Sequence, residues 1–116
     1  MPHVPIADDD SVQVYLREAC ADPPLTEQEE IDFSRRLLAR EGPAEPVRLR
    51  LLQGNLANVV AIARRYAGRG KHVLHLAQIG NKALLAALDT YSGNSGETFS
   101  TYAASRVEAA ISKSVR

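Results

Sequence analysis

The sequence predicts an all-α fold, a compact bundle of about five or six helices. Three observations predict it: apolar residues recur at three- and four-residue spacing along most of the chain, no segment alternates with period two for long enough to make a strand, and Gly or Pro clusters punctuate the helical stretches. At 116 residues there is room for one domain. A chain of this size hides roughly two thirds of the surface its unfolded form exposes, so the core needs no disulfide or metal to hold it.

Residues 1–9 mix Pro, His and Asp without periodicity and are read as a flexible tail. Asp10 or Ser11 caps a first helix with the stripe Val12, Tyr15, Leu16 and Ala19, and Asp22, Pro23 and Pro24 stop it. Thr26 and Glu29 stand at capping-box spacing, the hydroxyl accepting from the backbone of residue 29 while the carboxylate reaches back. The helix they open carries Ile31, Phe33, Leu37, Leu38 and Ala39 and ends near Gly42 and Pro43.

Another helix starts at about Ala44 with Val47, Leu49, Leu51 and Leu52; Gly54 and Asn55 interrupt it before Leu56, Val59, Val60, Ile62 and Ala63 resume the pattern. A bend in a continuing helix is expected there, because glycine weakens a helix by about 1 kcal/mol against alanine without obliging it to end. Gly68, Arg69 and Gly70 supply a turn. From Val73 to about Tyr91 the apolar residues go nearly all the way round, which marks a helix buried on most sides or one that keeps a face for a partner. Residues 92–97 form an open loop, and Thr98 or Ser100 caps a last helix with the stripe Phe99, Ala103, Val107, Ile111 and Val115.

Net charge is zero, which argues against a sequence-blind nucleic-acid binder. Its distribution is uneven. Residues 1–55 carry six Arg against eleven Asp or Glu, a net −5, and residues 56–116 carry eight Lys or Arg against three acids, a net +5. Chance unevenness neutralised when the halves pack and a basic surface meant for phosphate both account for this. The lone Cys20 excludes an internal disulfide and reads as a small apolar residue. With no secretory start and no apolar run near the roughly 18 residues that span a bilayer, a cytoplasmic setting without a membrane partner is expected.

No nucleophile with its base, apolar carboxylate pair or phosphate-cradling loop emerges, so an enzyme is not expected. His72 and His75 have metal-ligand spacing but no third ligand nearby, and read as turn and helix-start residues; no cofactor is expected.

Three collinear stretches carry a resemblance: 55–70, beginning AsnLeuAlaAsnValVal; 74–91, beginning LeuHisLeuAlaGlnIleGlyAsn; and PheSerThrTyrAla at 99–103. Together they resemble the second conserved region of the bacterial sigma-70 family. Residues 10–19 and 24–30 are similar to the region preceding it, so 10–42 and 43–116 are the two divisions the resemblance implies. It implies that the helix matching 74–91 docks on a coiled coil of the RNA polymerase clamp, through His75, Gln78, Ile79, Asn81 and Leu85. It implies that the last helix recognises and melts the minus-ten promoter element.

The DNA-binding set carried over is Arg17, Glu30, Asn55, Arg64, Arg65, Phe99, Thr101, Tyr102, Ser105, Arg106 and Lys113. Several positions depart from the family pattern. His75 and Ile79 stand where acids are usual, and losing one charge of a desolvated pair costs about 2 to 5 kcal/mol. Ser105 and Arg106 replace two tryptophans, and an aromatic platform contributes roughly 1 to 3 kcal/mol per stacked base. Ala109 and Ser112 are too short to read base edges, Ala57 replaces a basic residue, and Cys20 replaces a glycine. The segments around Gln78 and Tyr102 are expected to form neighbouring surfaces. The family's later domains, including the helix-turn-helix for the minus-thirty-five element, lie outside these residues, so a complete initiation factor is not expected.

Two functions follow. One is a reduced sigma-like module that binds core polymerase or the minus-ten single strand. The other is a sigma-derived protein-interaction or regulatory module, a decoy for sigma's partners, an antagonist or a self-associating unit, that has lost promoter melting, with Ile79 either on an open face or simply buried.

Overall fold

In a computed structural model the described residues are 10–39, 44–68, 71–93 and 96–115, and they form six α-helices and no strand. In chain order these are α1 (Asp10–Glu18), α2 (Glu27–Ala39), α3 (Ala44–Gln53), α4 (Leu56–Tyr66), α5 (Val73–Thr90) and α6 (Phe99–Ser114). The expected tail, the helix end at Gly42 and Pro43, and part of the turns at 68–70 and 92–97 lie outside the described residues.

Local signals explain most boundaries. α1 already contains Asp10 and Ser11 rather than starting after them, and Ala19 lies past its end and exposed. The capping box closes as its spacing requires: the Glu29 amide donates to Thr26 Oγ1 (3.1 Å) and the Thr26 amide to Glu29 Oε1 (2.9 Å). His72 caps α5 by accepting from the Leu74 amide through Nδ1 (3.0 Å). Thr98 caps α6, accepting from the Thr101 amide (3.4 Å), whereas Ser100 is buried inside the helix.

The bend expected at Gly54 is instead a full break, and Asn55 makes it. In a continuing helix the Asn55 amide would bond to the Leu51 carbonyl. Here the Asn55 side chain takes that carbonyl (Nδ2 to O, 2.8 Å) and its amide turns to Leu52 (3.1 Å). Glycine precedes it because a Cβ at 54 would stand 2.6 Å from Leu25 Cγ.

One apolar cluster runs from Val12 of α1 to Ile111 of α6, with Leu51, Leu76, Leu84, Phe99 and Val107 among its fully buried members. α5 settles its own ambiguity. Val73, Leu76, Ala77, Gly80, Leu84, Ala87 and Leu88 face the core, while His75, Gln78, Lys82, Leu85 and Asp89 keep one outward face open. α4, α5 and α6 meet at Gly80, where a Cβ would stand 2.7 Å from a Val59 methyl and 3.0 Å from methyls of Val107 and Ile111. A glycine in mid-helix is here a packing device.

Gly80→Ala therefore sets a gain of about 1 kcal/mol in helix propensity against about 1 to 3 kcal/mol of overpacking. A net loss of about 1 kcal/mol in urea denaturation is expected, with Gly80→Val losing more; an unchanged midpoint for both would contradict the close approach.

Candidate nucleic-acid interface and docking face

α5 and α6 form an antiparallel hairpin: Gly80 lies against Val107 and Ile111, and Thr90 against Tyr102. That arrangement corrects one expectation. Gln78 and Tyr102 sit on the same pair of helices but at opposite ends, since the twelve residues from Gln78 to Thr90 span about 18 Å of helix.

On α5, His75, Gln78 and Leu85 share the outward face, and Leu85 is 51% exposed. The other two docking residues do not join them. Asn81 is half-buried and donates through Nδ2 to the Tyr15 hydroxyl (3.0 Å), which ties α1 to α5. Ile79 is half-buried against the core cluster. Its apolar character therefore has a packing cause, and it supplies no open apolar face.

On α6, Thr101, Ser105, Arg106 and Lys113 are exposed, as is Ala109. Tyr102 is half-buried and held on three sides: its hydroxyl is 2.6 Å from Thr90 Oγ1, its ring centroid is 5.6 Å from that of Tyr91, and the Arg106 guanidinium lies 5.9 Å over it. Arg106 occupies space beside the ring and supplies a cation–π contact, but offers no second aromatic surface. Between α5 and α6 runs an open groove of about 420 Å³ lined by Ala83, Ala86, Ala87, Ala109 and Ala110, with Thr90, Arg106 and Lys113 at its rim.

Two members of the DNA-binding set are structural in this fold. Phe99 is 0% exposed and meets Tyr91 edge to face (5.7 Å, 88°). Asn55 is 4% exposed, and its Nδ2 also donates to Ser100 Oγ (3.1 Å), joining the α3–α4 corner to α6. Neither has surface to offer a strand; both position α6. Arg17 is exposed near the end of α1, and Glu30 is half-buried in the first turn of α2.

Arg64 is half-buried at the end of α4. Its neighbour Arg65 is engaged: Nη2 lies 2.8 Å from Glu108 Oε1, and the Tyr66 hydroxyl donates to Glu108 Oε2 (2.9 Å). Those contacts, the Tyr66 hydrogen bond first and the Arg65 charge second, hold the Glu108 carboxyl below its ordinary value.

The sequence reading missed four contributors. Ser34 of α2 accepts from the Phe99 amide (2.8 Å), and Tyr91 donates to the Glu97 carbonyl (2.6 Å), with burial pushing its phenol up. Gly80 and Glu108 carried visible signals, a glycine in mid-helix and the single acid of α6. Cys20 is half-buried and burial pushes its thiol up, consistent with an inert apolar role.

Folding pairs Arg48 of the acidic half with Asp89 of the basic half (3.0 Å), while Arg50–Glu29 lies within the first half and Arg65–Glu108 within the second. Among the described residues no helix is long and apolar enough to cross a membrane.

The family profile described as Sigma-70 region 2 matches residues 51–116. The RNA polymerase sigma factor SigA of Clostridium acetobutylicum is 40% identical over 110 residues, covering 95% of this chain and 28% of that protein. SigA of a Bacillus species is 37% identical over 106 residues, covering 91% of this chain and 27% of the relative. SigA of Lactococcus lactis subsp. cremoris is 37% identical over 107 residues, covering 92% of this chain and 29% of the relative. The chain therefore spans somewhat more than a quarter of the length of these relatives.

Two outcomes follow from the buried and paired groups. Asn55→Ala leaves Ser100 and the Leu51 carbonyl without their donor, so a loss of about 1 to 3 kcal/mol in denaturation is expected; a variant as stable as the parent would show Asn55 to be dispensable for packing. Because Glu108 is held low when folded, its contribution is present above its unfolded value near 4.5 and is lost as pH falls through the folded value. Because the pair is exposed that contribution is small, so Glu108→Gln should make the acid limb of a stability–pH profile only slightly shallower, and an unchanged limb would assign it wholly to other carboxylates.

Proposed function

Because the chain belongs to the sigma-70 family, we propose that it acts as a transcription initiation module, docking on the clamp coiled coil of core RNA polymerase through α5 and offering α6 to the minus-ten single strand. The observation that carries this reading is the α5–α6 hairpin, which keeps one outward face on each helix while Gly80 packs against Val107 and Ile111 between them. His75, Gln78, Lys82 and Leu85 make the first face; Thr101, Tyr102, Ser105, Arg106 and Lys113 make the second.

The chemistry of each face sets its strength. The docking face lacks the acids usual at positions 75 and 79, and its Asp89 is paired with Arg48 (3.0 Å), so its affinity rests on Leu85 as an apolar anchor and on Gln78 as a hydrogen-bonding group. The strand face has one ring, Tyr102, where an extended aromatic platform would contribute roughly 1 to 3 kcal/mol per stacked base, so contacts to phosphate outweigh stacking. Base flipping by this module alone is correspondingly weak.

A second reading, a regulatory module that binds sigma's partners without opening DNA, is favoured by Ser105 and Arg106 in place of the tryptophans. Its other motive, an open apolar face at Ile79, is withdrawn, since that side chain packs on the core.

Titrating the protein against the isolated clamp coiled coil and against a fluorescent minus-ten oligonucleotide separates the readings. Binding to both is expected, with Leu85→Asp weakening the first about tenfold, ~1.4 kcal/mol, and Arg106→Ala weakening the second. Coiled-coil binding without oligonucleotide binding favours the second reading, and absence of both ends the first.

A further inference from the structure

We propose that Arg65 and the Tyr66 hydroxyl form an anion site for a backbone phosphate of a single strand lying across α6, and that Glu108 fills this site in the free protein. The inference rests on the nucleic-acid reading above and deepens it. Each oxygen of the Glu108 carboxylate has its own donor, a guanidinium nitrogen at 2.8 Å and a phenol at 2.9 Å. Two converging donors at that separation take a phosphodiester's pair of free oxygens as readily as a carboxylate. The pair lies at the surface, with side-chain exposures of 59% for Arg65 and 42% for Glu108, so a ligand can reach it.

The pair is not what holds α4 to α6. Val59, Ile62 and Ala63 of α4 and Val107 and Ile111 of α6 are already buried in the common core. An exposed ion pair adds little to such packing. Its effect on binding is larger in proportion, because it spends a cation and adds an anion on a surface that is otherwise basic.

Position on the helix supports the same conclusion. At 100° per residue Arg106 and Lys113 stand within about 20° of one another on α6, and Glu108 stands about 160° round from Arg106. Tyr102, Ala109, Ser105, Ser112 and Thr101 fall on the arc between these two edges, and apart from the half-buried Tyr102 none is bulky. A strand crossing that arc has Arg106 and Lys113 on one side. Arg65 is the cation on the other side, and it is unavailable until Glu108 lets go. Glu108 is thus an intramolecular competitor for phosphate that lowers the resting affinity of the face.

The test is anisotropy titration of a labelled minus-ten oligonucleotide and an oligo(dT) of equal length, at several salt concentrations, with the parent, Glu108→Gln, Arg65→Gln and the double variant. Thermal melting confirms that each is folded. Glu108→Gln should bind both strands about two- to fivefold more tightly, with a salt slope steeper by about 0.7, one single-strand phosphate contact. The double variant should lose that gain. A Glu108→Gln affinity equal to the parent's, or a gain that persists in the double variant and so reflects only one fewer negative charge, overturns the proposal. If no form binds either strand, the nucleic-acid reading fails, and the anion site is judged by titrating inorganic phosphate against the Arg65 Nε–H and Tyr66 ring resonances. Shifts in Glu108→Gln but not in the parent support the site, and their absence from both overturns it.

Discussion

The structure depends on how the start of α6 is held. The Phe99 side chain enters the core, its amide is capped by Ser34 from α2, and the next residue is bonded by Asn55 from the α3–α4 corner. Tyr91 closes the incoming loop through the Glu97 carbonyl and packs its ring against Phe99 and Tyr102. Elements distant in sequence thus converge on one helix end whose first amide would otherwise be unsatisfied. Gly80 does the corresponding work toward the other end by letting α4, α5 and α6 approach backbone to side chain. A helix fixed at both places cannot rotate, and this fixes which residues of α6 face outward.

Burial separates the residues that hold the scaffold from those that make its faces. Phe99, Ser100 and Asn55 are buried, each serving the α6 start, whereas Ser105, Arg106, Ala109 and His75 are exposed. A buried hydrogen-bonded residue cannot change without leaving a partner unsatisfied, at about 1 to 3 kcal/mol, whereas an exposed one changes for little.

The helices were legible in the sequence because their signals are local. The Thr26–Glu29 box, the breakers after α1, the periodic stripe of α6 and the buried stripe of α5 need only nearest-neighbour geometry to be read. The site was legible less far. That Asn81 would turn to Tyr15, that Ile79 would be half-buried, and that Asn55 would spend its side chain on the Leu51 carbonyl depend on how each helix is rotated against the others. Spacing alone does not set that rotation. The same limit hid the partner of Arg65: two residues forty-three positions apart become neighbours only after α4 and α6 pack. The separation of Gln78 from Tyr102 likewise follows from antiparallel packing, which a linear pattern of motifs leaves open.

Charge then decides the order in which the two faces can work. Arg106 and Lys113 are the cations on one edge of the α6 arc, Arg65 is paired on the other, and stacking rests on a single ring. So few phosphate contacts leave a strand weakly held near physiological salt, because each contact contributes through release of condensed counterions and that gain shrinks as salt rises. A strand brought alongside the protein by a shared partner meets α6 at an effective concentration in the millimolar range, which offsets the weak intrinsic affinity. On the proposed reading, α5 must therefore engage first. The hairpin supports that sequence mechanically: the docking face and the strand face are two sides of one packed unit, so anchoring α5 orients α6 without any rearrangement of the core.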